Sequence, residues 1–161
     1  MAASKKRSSN APTIENRKAR HKFVVEETLE CGIRLTGTEV KSIRNGQMSL
    51  GEGYVRAANG EKPSLTLHGV HISEYPPAGE KNQHEPTRVR ALLAHRREIR
   101  KLVEGTRTKG YTLIPLKVYF VRGRAKVLIG LARGRRKQDK REDMAKQESR
   151  REINRAMSQR R

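Results

Sequence analysis

Residues 21–35 read HKFVVEETLECGIRL. Phe23, Val25, Leu29, Cys31, Ile33 and Leu35 fall on alternate positions, with Glu27 as the interruption. A period of two sends successive side chains to opposite faces of an extended chain, so this stretch predicts a half-buried strand. Two further strands are predicted downstream, YTLIPLKVYFV at 111–121 and KVLIGLA at 126–132, joined tightly through Arg122-Gly123-Arg124. Pro115 inside the first of these predicts an edge or a bulge, because proline brings no amide to a ladder.

Working outward, GYVRAANGEKPSLTLHGVHI at 53–72 predicts a hairpin. Asn59-Gly60 is a favourable turn pair between two apolar runs, and Lys62-Pro63 would widen the loop. TGTEVKSIRNG at 36–46 predicts a short helix capped by Thr38, with Val40 and Ile43 on one face and Asn45-Gly46 at its end. A second helix is predicted from Val89 to Glu104, with Leu92, Leu93, Ile99, Leu102 and Val103 as its stripe and Gly105 as its stop. The segment between, residues 73–88, is polar and holds three prolines. The predicted class is mainly β with α, a small antiparallel barrel or sandwich; periodicity does not choose between them.

Three segments follow from composition. Residues 1–15 are polar, Ser-rich and broken by Pro12, which predicts a disordered basic N-terminal tail. Residues 16–132 hold the predicted elements, and residues 133–161 form a basic C-terminal tail. That tail carries twelve Lys/Arg against five Asp/Glu and has few apolar side chains, Met144, Ile153 and Met157 among them. It cannot build a core of its own. Yet after Gly134 it has no Gly or Pro and is rich in good helix formers. Glu142–Lys146 and Glu148–Arg151 are well-spaced pairs, whereas Glu148–Glu152 and Arg151–Arg155 oppose. The expectation is a segment mostly disordered in water that becomes helical against a polyanionic wall.

The formal net charge is +20. That excess favours a polyanion, either nucleic acid or an anionic membrane surface. No apolar segment is long enough to span a bilayer, and Met1–Asn10 lacks the apolar stretch of a secretory signal. Cys31 is the single cysteine, so there is no disulfide framework, which fits a reducing cytoplasm.

Catalytic constellations are weak. All acids between 16 and 132 are Glu, and the first Asp is Asp139. On a strand, Glu27 points opposite to Glu26 and Glu30, so converging carboxylates for a metal nuclease are not predicted. Cys31 sits on the apolar alternation as a buried structural thiol. His68-x-x-His71 lies on a predicted strand, where positions three apart face opposite sides, so no metal site is expected. Gly51-Glu52-Gly53 lacks the third glycine and the lysine of phosphate loops, and no cofactor is predicted.

What remains is nucleic-acid binding. Only six aromatic residues occur, without Trp, and Phe23 and Phe120 fall on predicted core faces. Readers of single strands need exposed aromatic platforms, so a basic surface of this kind suits a folded RNA met through phosphate, 2′-hydroxyl and shape.

Three long stretches carry a resemblance. NRKARHKFVVEETLECGIRLTGTEVKSIRNGQ, KGYTLIPLKVYF and GLARGRRKQDKRED resemble, in order and spacing, the signatures of the small protein B family, the SsrA-binding proteins of bacterial trans-translation. The likeness covers about residues 16–145. It implies an oligonucleotide-binding-type (OB-like) antiparallel barrel with flanking helices that binds the tRNA-like domain of transfer-messenger RNA (tmRNA). It further implies delivery of alanyl-tmRNA, with elongation factor Tu, to stalled ribosomes, followed by tagging of the nascent chain and release. Elongation factor Tu and alanyl-tRNA synthetase are reached only indirectly, through tmRNA, and no catalysis by the protein itself is implied.

By resemblance, Glu30, Leu93 and Lys126 match positions important for tmRNA binding. Asn16, Arg17, Lys18, Arg20 and His21 match the basic entry to the first strand, expected on the same surface. A packing role for Leu93 and a plain lysine pairing for Glu30 stay open as alternatives. Gly134, Asp139, Lys140 and Arg141 match the family's ribosome-dependent tail element, with Arg135, Arg136 and Lys137 as a charge-preserving variant. The tail is expected near the decoding centre, in the messenger path. Ala91 and Gln138 depart from the usual pattern, a lysine and an aromatic or His. Rival readings are a basic ribosomal structural protein of β-barrel type, which would co-sediment stoichiometrically, and an RNA-processing enzyme, which would cleave RNA with Mg²⁺.

Overall fold

Arg122 and Gly123 carry φ of 50° and 77° in the computed structural model, which describes residues 11–158. Two consecutive left-handed residues match the twist of flanking strands, so a two-residue turn joins the long strands as the sequence predicts. In chain order the elements are β1 (Ile14–Glu15), α1 (Arg17–Lys22), β2 (Phe23–Ile33), α2 (Gly37–Arg44), β3 (Met48–Ser49), β4 (Tyr54–Ala58), β5 (Ser64–His68) and β6 (His71–Ile72). After two short 3₁₀ turns come β7 (Arg90–Leu93), α3 (Arg96–Arg107), β8 (Tyr111–Val121), β9 (Arg124–Gly134) and α4 (Lys137–Ser158).

The seven-stranded sheet runs β1-β8-β4-β5-β7-β2-β9, and the additional β8–β9 pairing closes it. Every pairing is antiparallel. Closure decides the choice that periodicity left open: this is a barrel with flanking helices, in line with the OB-like expectation. β3 and β6 form a separate two-stranded ribbon.

Two bulges shape the barrel. The β2–β9 register shifts between Val25 and Glu27, and the β8–β9 register shifts between Pro115 and Lys117. An extra residue reverses which face the following side chains meet. Leu29, Cys31 and Ile33 therefore face the barrel interior with Leu65, Leu67, Val118, Val127 and Ile129. Phe23 and Val25 lie outside it, packed with Ala19 of α1, Ile114, Leu116 and Ala132. The single alternation seen in the sequence is thus two alternations of opposite phase, and Glu26, skipped by the register, is where they meet.

The interior also holds charge. Glu39 and Arg90 are both 0 % exposed. Arg90 Nε donates to Glu39 Oε1 at 2.8 Å, and its terminal nitrogens donate to the carbonyls of Val70, Arg88 and Pro86 at 2.9–3.0 Å. Arg88 donates to both Glu39 oxygens at 2.7 and 2.6 Å, and the Thr36 amide donates to Oε2 at 2.8 Å. Burial alone would push the Glu39 carboxyl up. Hydrogen bonds from Arg88, Thr36 and Arg90, with the Arg90 charge, outweigh it and hold the group down to about 2.

Four expectations are corrected. Val89–Glu104 is not one helix: Arg90–Leu93 is strand β7, paired with β2 and β5, and α3 starts only at Arg96. Buried Arg90 and Leu92 alternate with half-buried Ala91 and exposed Leu93, a strand period that the Leu92-Leu93 doublet hides. α3 also runs through Gly105, where a Cβ would come within 2.6 Å of Leu131 Cδ2, so the glycine seats the helix on β9 rather than ending it. Thr36, not Thr38, caps α2, and Thr38 Oγ1 lies 2.9 Å from His84 Nδ1. The N-terminal boundary moves as well. Ile14 and Glu15 pair with Val118 and Lys117, while residues 1–10 lie outside the described residues.

In the C-terminal segment Lys137–Ser158 is one helix of 22 residues. Its uninterrupted helix formers permit this, and it is held at its root, as described below. It buries almost nothing: Met144, Ile153 and Met157 are 63, 59 and 68 % exposed.

Candidate nucleic-acid interface

Register assembles the first cluster. Gly32 of β2 faces Leu93 of β7 on one side and Lys126 of β9 on the other, and Lys126 faces Tyr119 of β8. Leu93, Gly32, Lys126 and Tyr119 thus form one row across four strands. Leu93 is 60 % exposed, which removes the packing alternative for it. Its side chain leans over Gly32, where a Cβ would meet Leu93 Cβ at 3.2 Å.

Glu30 stands two residues along β2 from Gly32. The Tyr119 hydroxyl donates to Glu30 Oε2, and Lys126 Nζ lies 3.8 Å from Glu30 Oε1. The lysine pairing left open in the sequence is therefore present, within a larger group. Burial, the hydrogen bond to Glu30 and its charge push the Tyr119 hydroxyl up to about 12, so the phenol stays protonated and keeps donating. Lys117 Nζ sits 5.2 Å above the Tyr119 ring. A carboxylate fixed in this way can accept from a 2′-hydroxyl or a base amine, while the two lysines meet phosphates. The three residues matched by resemblance come together here. Tyr119 and Lys117 were not singled out, although the alternation in KVYF already put them on the same outward face.

The basic entry residues do not join this surface. Phe23 pairs with Gly134, and Gly32 with Lys126, so α1 lies at the far end of the β2–β9 ribbon. At a rise of about 3.3 Å per residue the two groups are about 25 Å apart along β9. Asn16 is also corrected: it is 5 % exposed, and its amide donates to the carbonyls of Leu50 and Pro115 and accepts from the Ala19 amide. It caps α1, and both of its amide donors are spent inside the protein. Arg17, Lys18, Arg20 and His21 are exposed. Arg17, Arg20 and His21, with Arg135, Lys146 and Arg150, line a basic cleft of about 540 Å³ between α1 and α4.

At the root of the tail, Gly134 ends β9. Arg135 is a tie rather than a free cation: its amide donates to Lys22 O at 2.9 Å, its Nε to Phe23 O at 3.2 Å, and its guanidinium pairs with Asp143. Arg136 and Arg141 are exposed, and the side chains of Lys137, Gln138, Asp139 and Lys140 lie outside the described residues.

The weak catalytic motifs have structural places. Cys31 is 0 % exposed, and burial, followed by the charge of Glu98, pushes its thiol up to about 11. His68 stacks on Tyr54, and His71 sits on β6. Among the described residues no group of three or more His, Cys, Asp or Glu could hold a metal ion, and no helix is long and apolar enough to cross a membrane.

Comparison with known proteins places this geometry. The family model described as "SmpB protein" matches residues 13–159. The SsrA-binding proteins of Moorella thermoacetica and Roseiflexus castenholzii are 54 % and 53 % identical, covering 91 % of this chain and 92 % and 90 % of theirs. That of Geobacillus thermodenitrificans is 50 % identical over 91 % of this chain and 92 % of its own. A chain from the structure described as "tmRNA-SmpB: a journey to the center of the bacterial ribosome" superposes with a TM-score of 0.65 at 45 % identity, covering 82 % of this chain and 94 % of that one. A closed antiparallel barrel bearing a Glu–Tyr–Lys cluster outside and a basic helix at its end is thus found in a chain that belongs to the SmpB family.

Proposed function

We propose that this protein acts in trans-translation as an SsrA-binding protein. It binds the tRNA-like domain of tmRNA and brings alanyl-tmRNA to stalled ribosomes, where the C-terminal helix occupies the empty messenger path. Nascent-chain tagging and ribosome release follow. Elongation factor Tu and alanyl-tRNA synthetase meet it through the RNA. Family membership supports an RNA-binding role over that of an enzyme or a structural ribosomal protein.

Within that role, the Glu30, Leu93 and Lys126 face grips tmRNA. The observation that carries this assignment is the cross-strand row: residues distant in sequence converge on one outward face with a lysine at its centre. Arg17, Lys18, Arg20 and His21 make a second basic surface at the other end of the barrel. Gly134, Arg135, Arg136, Lys137, Asp139, Lys140 and Arg141 form the joint and first turns of the tail element at the decoding site. Twelve basic groups between residues 133 and 161 supply the attraction to ribosomal phosphates.

The test separates grip from tail. A chain ended after Arg136 keeps β9 whole, since Ala132, Arg133 and Gly134 pair with β2. It is expected to bind the tRNA-like domain within about twofold of the full chain while tagging is lost. Lys126→Ala is expected to weaken binding about tenfold and to lower the salt slope by about one. Equal loss of binding and tagging on truncation would refute the division.

A further inference from the structure

All six aromatic residues lie within the described part of the chain, and five are engaged. Phe120 is buried and Phe23 packs beneath α1. The Tyr111 and Tyr119 hydroxyls donate to Glu26 and Glu30, and Lys41 covers the Tyr75 ring at 5.2 Å. Tyr54 is different: it is 45 % exposed. It sits on β4 opposite His68 of β5, with the two rings 10° from parallel and their centroids 5.1 Å apart. Thr66 Oγ1, 2.9 Å from His68 Nε2, fixes the imidazole in that pose.

Tyr54 also borders a notch of about 180 Å³ whose walls include Lys18, Lys22, Gly51 and Thr112. Lys22 is exposed, and Lys18 makes only an exposed 3.4 Å pair with Glu52, too weak to hold it. A pre-stacked aromatic pair costs little ordering entropy when a third ring joins it. Two lysines lining the same notch as a 45 % exposed ring can supply the phosphate contacts that single-stranded RNA needs.

We propose that Tyr54 and His68 form a stacking platform for one unpaired nucleotide of an RNA, whose flanking phosphates are met by Lys18 and Lys22. The seat lies at the end of the barrel remote from Glu30, Leu93 and Lys126, so it contacts a different stretch of RNA from the face assigned above.

The experiment uses the full chain and a short oligouridylate carrying one 2-aminopurine, read by anisotropy and by quenching of the base analogue on stacking. Tyr54→Leu is expected to weaken binding about tenfold and to abolish quenching, whereas Tyr54→Phe retains both. Lys18→Ala and Lys22→Ala each lower the salt slope by about one and leave the quenching of the bound probe intact. Lys126→Ala is expected to bind this probe as the unaltered chain does, whatever it does to the tRNA-like RNA, so either assignment can fail alone. If Tyr54→Leu quenches like the unaltered chain, or if no saturable binding occurs at about 0.1 M salt, the platform is overturned. Tyr54 is exposed, so the variants should fold; should Tyr54→Leu not fold, His68→Leu is expected to bind more weakly, and unchanged binding would overturn the platform equally.

Discussion

The barrel and the C-terminal helix treat charge in opposite ways. In the barrel, Glu39 and Arg90 are sealed from water, and every donor of Arg90 finds an acceptor. In α4 the described charged side chains stay at the surface, and its large apolar residues are exposed as well. The internal ion network thus ties α2, β7 and the 73–88 loop to one another. The helix has propensity and, among its described side chains, the Arg135–Asp143 pair at its root; the Glu142–Lys146 and Glu148–Arg151 pairs that the spacing allows are not formed. Its order depends on what stands beside it.

The contrast can be broken most forcefully at Glu39. Glu39→Ala leaves Arg90 buried without its counter-charge and is expected to cost about 3–5 kcal/mol, read from urea unfolding of the chain. Next is pH. The folded pKa of Glu39, about 2, lies below its ordinary value of 4.5. Its stabilisation is thus whole above pH 4.5 and disappears as pH falls toward 2. Glu39→Gln should flatten that part of the stability profile, and an unchanged profile would show that other carboxylates govern acid unfolding.

Gly105→Val drives a branched side chain into Leu131 and is expected to cost about 2 kcal/mol, seen as a lower Tm. The Cys31 thiol, buried and raised to about 11, should react with iodoacetamide at pH 8 only as fast as the barrel opens. The smallest effect belongs to the helix: Ile153→Ser should move the barrel's unfolding midpoint by less than about 0.5 kcal/mol. A larger shift would mean that α4 packs on the barrel after all.

Much of the barrel was legible because its longest strands are apolar, β-branched runs bounded by turn signals. The strand at Phe23–Ile33, the Pro115 bulge and the Arg122-Gly123 turn are all local signals found in the structure, although a bulge splits the strand's alternation into two phases. What stayed hidden depends on distant partners. β7 is four residues long, too short for a period to declare itself, and Leu92-Leu93 fits helical spacing equally well. Glu39 looks like any acid in a first helical turn until Arg88 and Arg90 fold over it. Asn16, in a run of basic residues, gives no sign that two carbonyls from distant strands will claim its amide. The Glu30, Leu93 and Lys126 face came from motif resemblance, and only the register showed that such separated positions lie side by side. The same register divided it from the residues that begin at Arg17.

Arg135 finally gives the molecule a mechanical property. Its ties to Lys22, Phe23 and Asp143 make a pivot. Beyond it α4 is a lever about 33 Å long, so turning the root by about 20° sweeps the tip through about 11 Å. Small adjustments where the chain leaves the last strand are therefore magnified into a wide arc at the helix tip.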